Sequence, residues 1–185
     1  LIEATGVWMQ PASLAGDPLW QKSAHGLGPG GRQMVADDVD GDGDADIVTT
    51  LNAHGYGLSW FEADGGEFVE HNIVPATDPA GMGVVMHEPH ALAMADIDGN
   101  GLRDIVTGER HWGHVAAGAD FLAPARLFWF EARRDGGAVT FVPHLVDDQS
   151  GVGTQVIAGD VNDDDLVDIV LANKKGAFLF LQERD

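Results

Sequence analysis

Three acidic segments repeat along this chain without gaps, and any fold proposed for it must contain them. They are Asp38-Val-Asp-Gly-Asp-Gly-Asp-Ala-Asp-Ile-Val48, Asp96-Ile-Asp-Gly-Asn-Gly-Leu-Arg-Asp-Ile-Val106 and Asp160-Val-Asn-Asp-Asp-Asp-Leu-Val-Asp-Ile-Val170, with starts 58 and 64 residues apart. A period of that size points to stacked copies of one supersecondary unit. The similarity runs past the loops. Ser59-Trp-Phe-Glu62 matches Phe128-Trp-Phe-Glu131 and, less closely, Phe180-Leu-Gln182, while residues 68–74 match residues 141–146.

Each unit reads as four short strands. An apolar strand such as residues 91–95 leads into the acidic loop, and a β-branched strand such as residues 105–107 leaves it. The Trp-Phe-Glu strand is third and the Phe-Val strand fourth. Alternating polarity and Gly, Asp and Pro punctuation mark strands, and no stretch of period 3.6 competes. Four antiparallel strands in about 60 residues make one propeller blade. The fold class expected is therefore all-β, a β-propeller of four-stranded antiparallel blades. Residues 1–31 read as the end of a preceding blade, with its third strand at 7–10 and its fourth at 19–23. Residues 32–75 and 88–146 read as two blades, and 153–182 as an incomplete one. About three blades are too few for a ring, which needs roughly four to eight. The expectation is an open arc that self-associates, belonging with the remaining blades or domains of a larger parent chain. The start at Leu1-Ile2-Glu3 fits a processed or excised portion.

Charge sharpens the reading. The net charge is −20 over 185 residues, which argues against nucleic acid and anionic membrane surfaces as partners. No apolar run reaches about 18 residues, so no membrane insertion is expected. There is no cysteine, so disulfides, thiolate nucleophiles and Cys-ligated zinc are excluded. Of 22 aspartates, 14 fall within residues 37–46, 96–104 and 160–168. Carboxylates crowded this closely repel one another unless a cation sits among them.

Side-chain oxygens stand at positions 1, 3, 5 and 9 of each loop: Asp38, Asp40, Asp42 and Asp46; Asp96, Asp98, Asn100 and Asp104; Asp160, Asn162, Asp164 and Asp168. Calcium takes six to eight hard oxygens, and alternate residues of a tight loop all turn inward. The position-7 carbonyls of Asp44, Leu102 and Leu166 complete the sphere. Position 6 needs a sharp turn, which Gly43 and Gly101 supply by accepting positive φ. Asp165 stands there in the third loop and Asp163 at its position 4, which makes that site the weakest. Magnesium keeps its waters and avoids such all-protein cages. Position 12 is Thr49, Thr107 or Leu171 rather than a bidentate Glu, and β-formers flank each loop, which excludes an EF-hand. Three calcium sites are expected. Affinities of about 10⁻⁴–10⁻³ M, usual for extracellular modules, suggest an extracellular or periplasmic location.

A position-9 ligand followed by an Ile-Val strand resembles the calcium loops of FG-GAP/VCBS-repeat β-propellers, known from integrin heads and many secreted bacterial proteins. The resemblance covers about residues 19–182. It implies a calcium-binding repeat module with a binding or scaffold role.

The strand order puts a second set of loops at the end opposite the acidic ones. Asn52-Ala-His54, His87-Glu-Pro-His90, Glu109-Arg-His-Trp-Gly-His114, Thr154-Gln155 and Asn173-Lys-Lys175 lie there, and Arg32, Gln33, His90 and Gln155 should border a central funnel. His54, His87, Glu88, His90, Glu109, His111 and His114 are candidates for acid–base work, and zinc is the second metal their residue types admit. The plainer reading is that loops are polar and face solvent. Trp112 is a candidate ligand contact. Trp60, Phe61, Trp129 and Phe130 recur at one blade position and read as packing between blades, and His71 and His144 read as structural. The His-Glu-Pro-His segment, the 108–114 loop and Ser150-Gly-Val-Gly-Thr-Gln155 resemble propellers joined to cupin domains in aldos-2-ulose dehydratases. That likeness implies the alternative function, the propeller part of a carbohydrate lyase acting on a keto-sugar.

Overall fold

The computed structural model describes residues 6–28, 31–75, 83–111 and 124–184. Among them there is no helix, and hence no helix long and apolar enough to cross a membrane. The described residues form thirteen strands, which run in chain order through four antiparallel sheets. A two-stranded ribbon pairs β1 (Val7–Met9) with β2 (Gln21–Ser23). The first four-stranded sheet holds β3 (Met34–Asp37), β4 (Asp46–Thr50), β5 (Leu58–Asp64) and β6 (Glu67–Val74) in that spatial order. The second repeats it with β7 (Pro89–Ala95), β8 (Asp104–Glu109), β9 (Leu127–Asp135) and β10 (Ala138–Asp147). The third has β11 (Val156–Gly159), β12 (Asp168–Asn173) and β13 (Gly176–Phe180). No sheet closes on itself among the described residues.

The sheets stack face to face, because each strand alternates its side chains between two apolar neighbours. Trp60 faces one way, into a core shared with Leu92, Ile105 and Phe130 of the second sheet. Phe61, one residue on, faces the other way and packs with Leu27 and Val7. The second sheet repeats the pattern. Phe130 looks back at the first sheet, while Val106 and Trp129 look forward to Val156, Ile169 and Leu171 of the third. The recurring Trp-Phe pair is thus packing between sheets, as its periodicity predicts. His71 and His144 are structural too. Each imidazole stacks on the tryptophan of its own sheet, with centroids 4.3 Å apart. Each also meets a glutamate of the neighbouring strand, Glu62 at 2.6 Å and Glu131 at 2.9 Å.

The leading strands β3, β7 and β11 come together, with β7 packed against both of the others. Gln33 joins two of the sheets by accepting the Leu92 N–H at 3.2 Å. One end of the stack therefore carries the acidic β3–β4, β7–β8 and β11–β12 loops. The opposite end carries the loops that lead into β7 and β11 and those that follow β4, β8 and β12.

Candidate metal loops and the opposite polar face

The three acidic loops fold by one local rule. In each, the position-3 side chain accepts the N–H of position 5, and position 5 accepts the N–H of position 7. The pairs are Asp40–Asp42 and Asp42–Asp44, Asp98–Asn100 and Asn100–Leu102, Asn162–Asp164 and Asp164–Leu166, at 2.7–3.2 Å. Short polar side chains favour this capping of their own backbone. The turn residues sit at positive φ where expected, Gly43 at 99° and Gly101 at 88°. Asp163 and Asp165 are forced to 64° and 63° in the third loop.

In the first two loops carboxylate oxygens converge. Atoms of Asp38, Asp40 and Asp42 lie within 4.8 Å of one another, as do atoms of Asp96, Asp98 and Asp104. Asp96 Oδ1 is buried with no hydrogen-bond partner, which an unsatisfied acceptor tolerates poorly without a cation beside it. Among the described residues no such trio forms in the third loop. There Asp160 turns onto its own backbone, accepting from the N–H groups of Asn162, Asp163, Asp164 and Asp165. Those bonds, Asp165's foremost, hold its carboxyl below the usual range. Relieving the positive φ by Asp165→Gly should raise stability in EDTA by about 0.5–1 kcal/mol, read from urea unfolding. A loss of stability would show that the aspartate side chain matters more than the turn.

The position-9 aspartates have a role that the ligand spacing does not reveal. Asp46, Asp104 and Asp168 are all buried. One oxygen of each accepts the N–H of position 2, from Val39, Ile97 and Val161, at 2.8–3.0 Å. The other accepts an N–H in or just after the third strand of the sheet, from Ala63, Ala132 and Gln182, at 2.8–3.0 Å. Each carboxylate therefore ties its loop to its sheet. Burial raises the pKa of Asp46 and Asp104.

Neighbouring sheets brace the loops. Arg134 of β9 donates to the carbonyl of Val39 at 2.6 Å, and Arg103 meets Asp37 at 3.3 Å. Gln182 donates to the Ile97 carbonyl at 3.1 Å.

Residues 38–107 match the model of the FG-GAP-like repeat. The FG-GAP-like stretch spans the first acidic loop, β4 to β7, the second loop and the start of β8. It therefore holds both loops whose carboxylates converge. No curated protein matches the chain.

At the opposite end, His54, Glu88, His90 and Arg110 are brought together. Glu88 sits at φ 47° and pairs with Arg110, whose side chain is 7% exposed. His90 Nδ1 donates to the Glu88 carbonyl at 3.1 Å, and Arg110 Nη1 donates to His90 Nε2 at 2.9 Å. Burial, then the charges of Arg110 and Arg32, push the His90 pKa down to about 4, so the ring is neutral. His54 stands edge-on to His90 at 5.5 Å and 4.0 Å from Glu88, and His87 lies against Tyr56. Glu109 is not an exposed loop carboxylate. It is buried at the end of β8, where Arg126 grips both its oxygens at 2.6 and 2.8 Å. His111 is partly exposed, and His114 and Trp112 lie outside the described residues. Among the described residues no three ligating side chains converge at this end.

Proposed function

We propose that this chain is a calcium-loaded segment of a β-propeller, a binding or scaffold module exported from the cell. The observation that supports it best is the second loop, where three carboxylates converge beside the buried, unpartnered Asp96 Oδ1. Hard oxygens in that density suit calcium. Asp38, Asp40, Asp42, Asp46 and the Asp44 carbonyl would hold one ion. Asp96, Asp98, Asn100, Asp104 and the Leu102 carbonyl would hold another. Asp160, Asn162, Asp164, Asp168 and the Leu166 carbonyl form the third and weakest site. The face-to-face stacking of successive sheets, with leading strands innermost, fits neighbouring blades. Ile157 and Leu179 on the last sheet, and Leu181 just after it, are about half exposed, an apolar surface suited to a further blade of a larger parent. The lyase alternative draws less support, because His90 and Glu109 are already engaged by arginines.

Titration calorimetry with calcium tests the reading. Two well-defined equivalents are expected, plus a weaker third. Asp38→Ala and Asp96→Ala should each remove one of the two. Absence of calcium heats in the parent chain, or a third site tighter than the others, would overturn the assignment.

A further inference from the structure

Ten arginines and lysines stand against thirty acidic residues in this chain. Yet Arg32, Arg110 and Lys174 all line one cavity of about 260 Å³ at the end opposite the acidic loops. None of the described residues lining it is acidic. Three sheets contribute: Arg32 precedes β3, His90 lies in β7, Arg110 follows β8, and Asn173 and Lys174 close β12. The second and third sheets are locked together at this point, with the Val152 N–H donating to the Glu109 carbonyl at 2.7 Å.

We propose that this cavity is an oxyanion pocket, which takes a terminal carboxylate, sulfate or phosphate group of a small molecule or chain end. Arginine and lysine on its walls supply charge, and Asn173 supplies a neutral amide. Arg110 is partly neutralised by Glu88, but Arg32 and Lys174 add two further positive charges to the same cavity. Glu88 reaches Arg110 from a left-handed backbone conformation that is strained for a non-glycine residue. Strain of this kind persists where the surroundings hold a residue in place, and here it accompanies the aiming of a buried guanidinium. His90 accepts from Arg110 as a neutral ring, which orients the guanidinium and leaves the charge of the cavity to Arg32, Arg110 and Lys174. His111, lowered in pKa by burial and then by Lys175 and Lys174, registers the same positive surroundings.

Size and field favour one terminal group. Ligand pockets usually exceed about 300 Å³, so this cavity suits an anionic group with the rest of its ligand outside. The acidic loops do not cancel its field. The six residues of β8 separate Asp104 from Arg110, about 20 Å at strand rise. That is more than two Debye lengths, each about 8 Å at physiological ionic strength. None of the described pocket residues belongs to an acidic loop, so anion binding here does not require calcium there.

The test adds sodium sulfate or sodium acetate to the calcium-saturated chain, at constant ionic strength in chloride. Backbone amide shifts of residues 152–154 and 172–174 are followed. Saturable shifts confined to those residues are expected, with Arg32→Gln and Lys174→Gln each weakening binding about three- to tenfold. Both positions are exposed, so folding should survive, and a melting curve confirms it. Saturation by sulfate alone assigns a doubly charged oxyanion, and saturation by acetate as well assigns a carboxylate. The proposal is overturned if neither probe saturates, if the shifts lie elsewhere, or if the double variant binds both probes like the parent.

Discussion

Excess EDTA should lower the melting temperature of this chain by on the order of 10–20 °C. Any ligand bound to the native state alone stabilises it by mass action, and each calcium site contributes about 2.7 kcal/mol when calcium is a hundredfold above its Kd. In a chain of this size each kcal/mol shifts the midpoint by roughly 2–4 °C. Two well-formed loops therefore account for the range, and the third adds to it. The same loops turn unfavourable without metal. Asp38, Asp40 and Asp42 hold carboxylate oxygens within 4.8 Å of one another, and without a cation among them their repulsion is unscreened. Thermal melts followed by circular dichroism in millimolar calcium and in EDTA decide the matter. Magnesium should restore little of the loss, since it resists dehydration by protein cages. Superimposable melts in calcium and EDTA would sink the calcium assignment for all three loops together.

Asp104→Ala should cost about 2–6 kcal/mol even in EDTA, whereas Asp96→Ala should cost little there. The two residues belong to one carboxylate trio but have different duties. Asp104 is buried and accepts the N–H groups of Ile97 and Ala132, each at 2.8 Å. Truncation leaves both donors without a partner, at about 1–3 kcal/mol apiece. Asp96 keeps one oxygen on the Gly101 N–H at 3.0 Å, and its other oxygen has nothing in the protein to lose. Urea unfolding of both variants in EDTA and in calcium separates the roles. Asp104→Ala should be weak under both conditions, and Asp96→Ala only in calcium. Equal stabilities of the two variants in EDTA would show that the buried carboxylate does not tie loop to sheet.

Much of this architecture is legible because it rests on short-range rules. The strand–loop–strand order around residues 38–48, 96–106 and 160–170 follows from alternation and from turn residues that accept positive φ. Gly43 and Gly101 adopt that conformation, and so do Asp163 and Asp165 in the third loop. The direction of Trp60 against Phe61, and of Trp129 against Phe130, follows from the two-residue period of a strand. The convergence of the first two loops' carboxylates was visible for the same reason, since alternating oxygens in a tight loop are a local pattern.

The second duty of the position-9 aspartates was less visible. Val39 is seven residues from Asp46, but Ala63 is seventeen away and comes near only when β5 lies beside β4. The polar end of the molecule was read by composition alone, which counts histidines and cannot tell which are engaged. Glu109 looked like a loop carboxylate until Arg126, seventeen residues on, closed over it. The repeat, the strands, the turns of the acidic loops and the packing role of the Trp-Phe pairs were thus written in the sequence, because steric and hydrogen-bonding rules over a few residues dictate them. The tertiary structure alone decided that Arg134 reaches back 95 residues to Val39, and that Arg32, Arg110 and Lys174 meet around one cavity. Those meetings depend on how one sheet stacks on the next, and no periodicity along the chain records that distance.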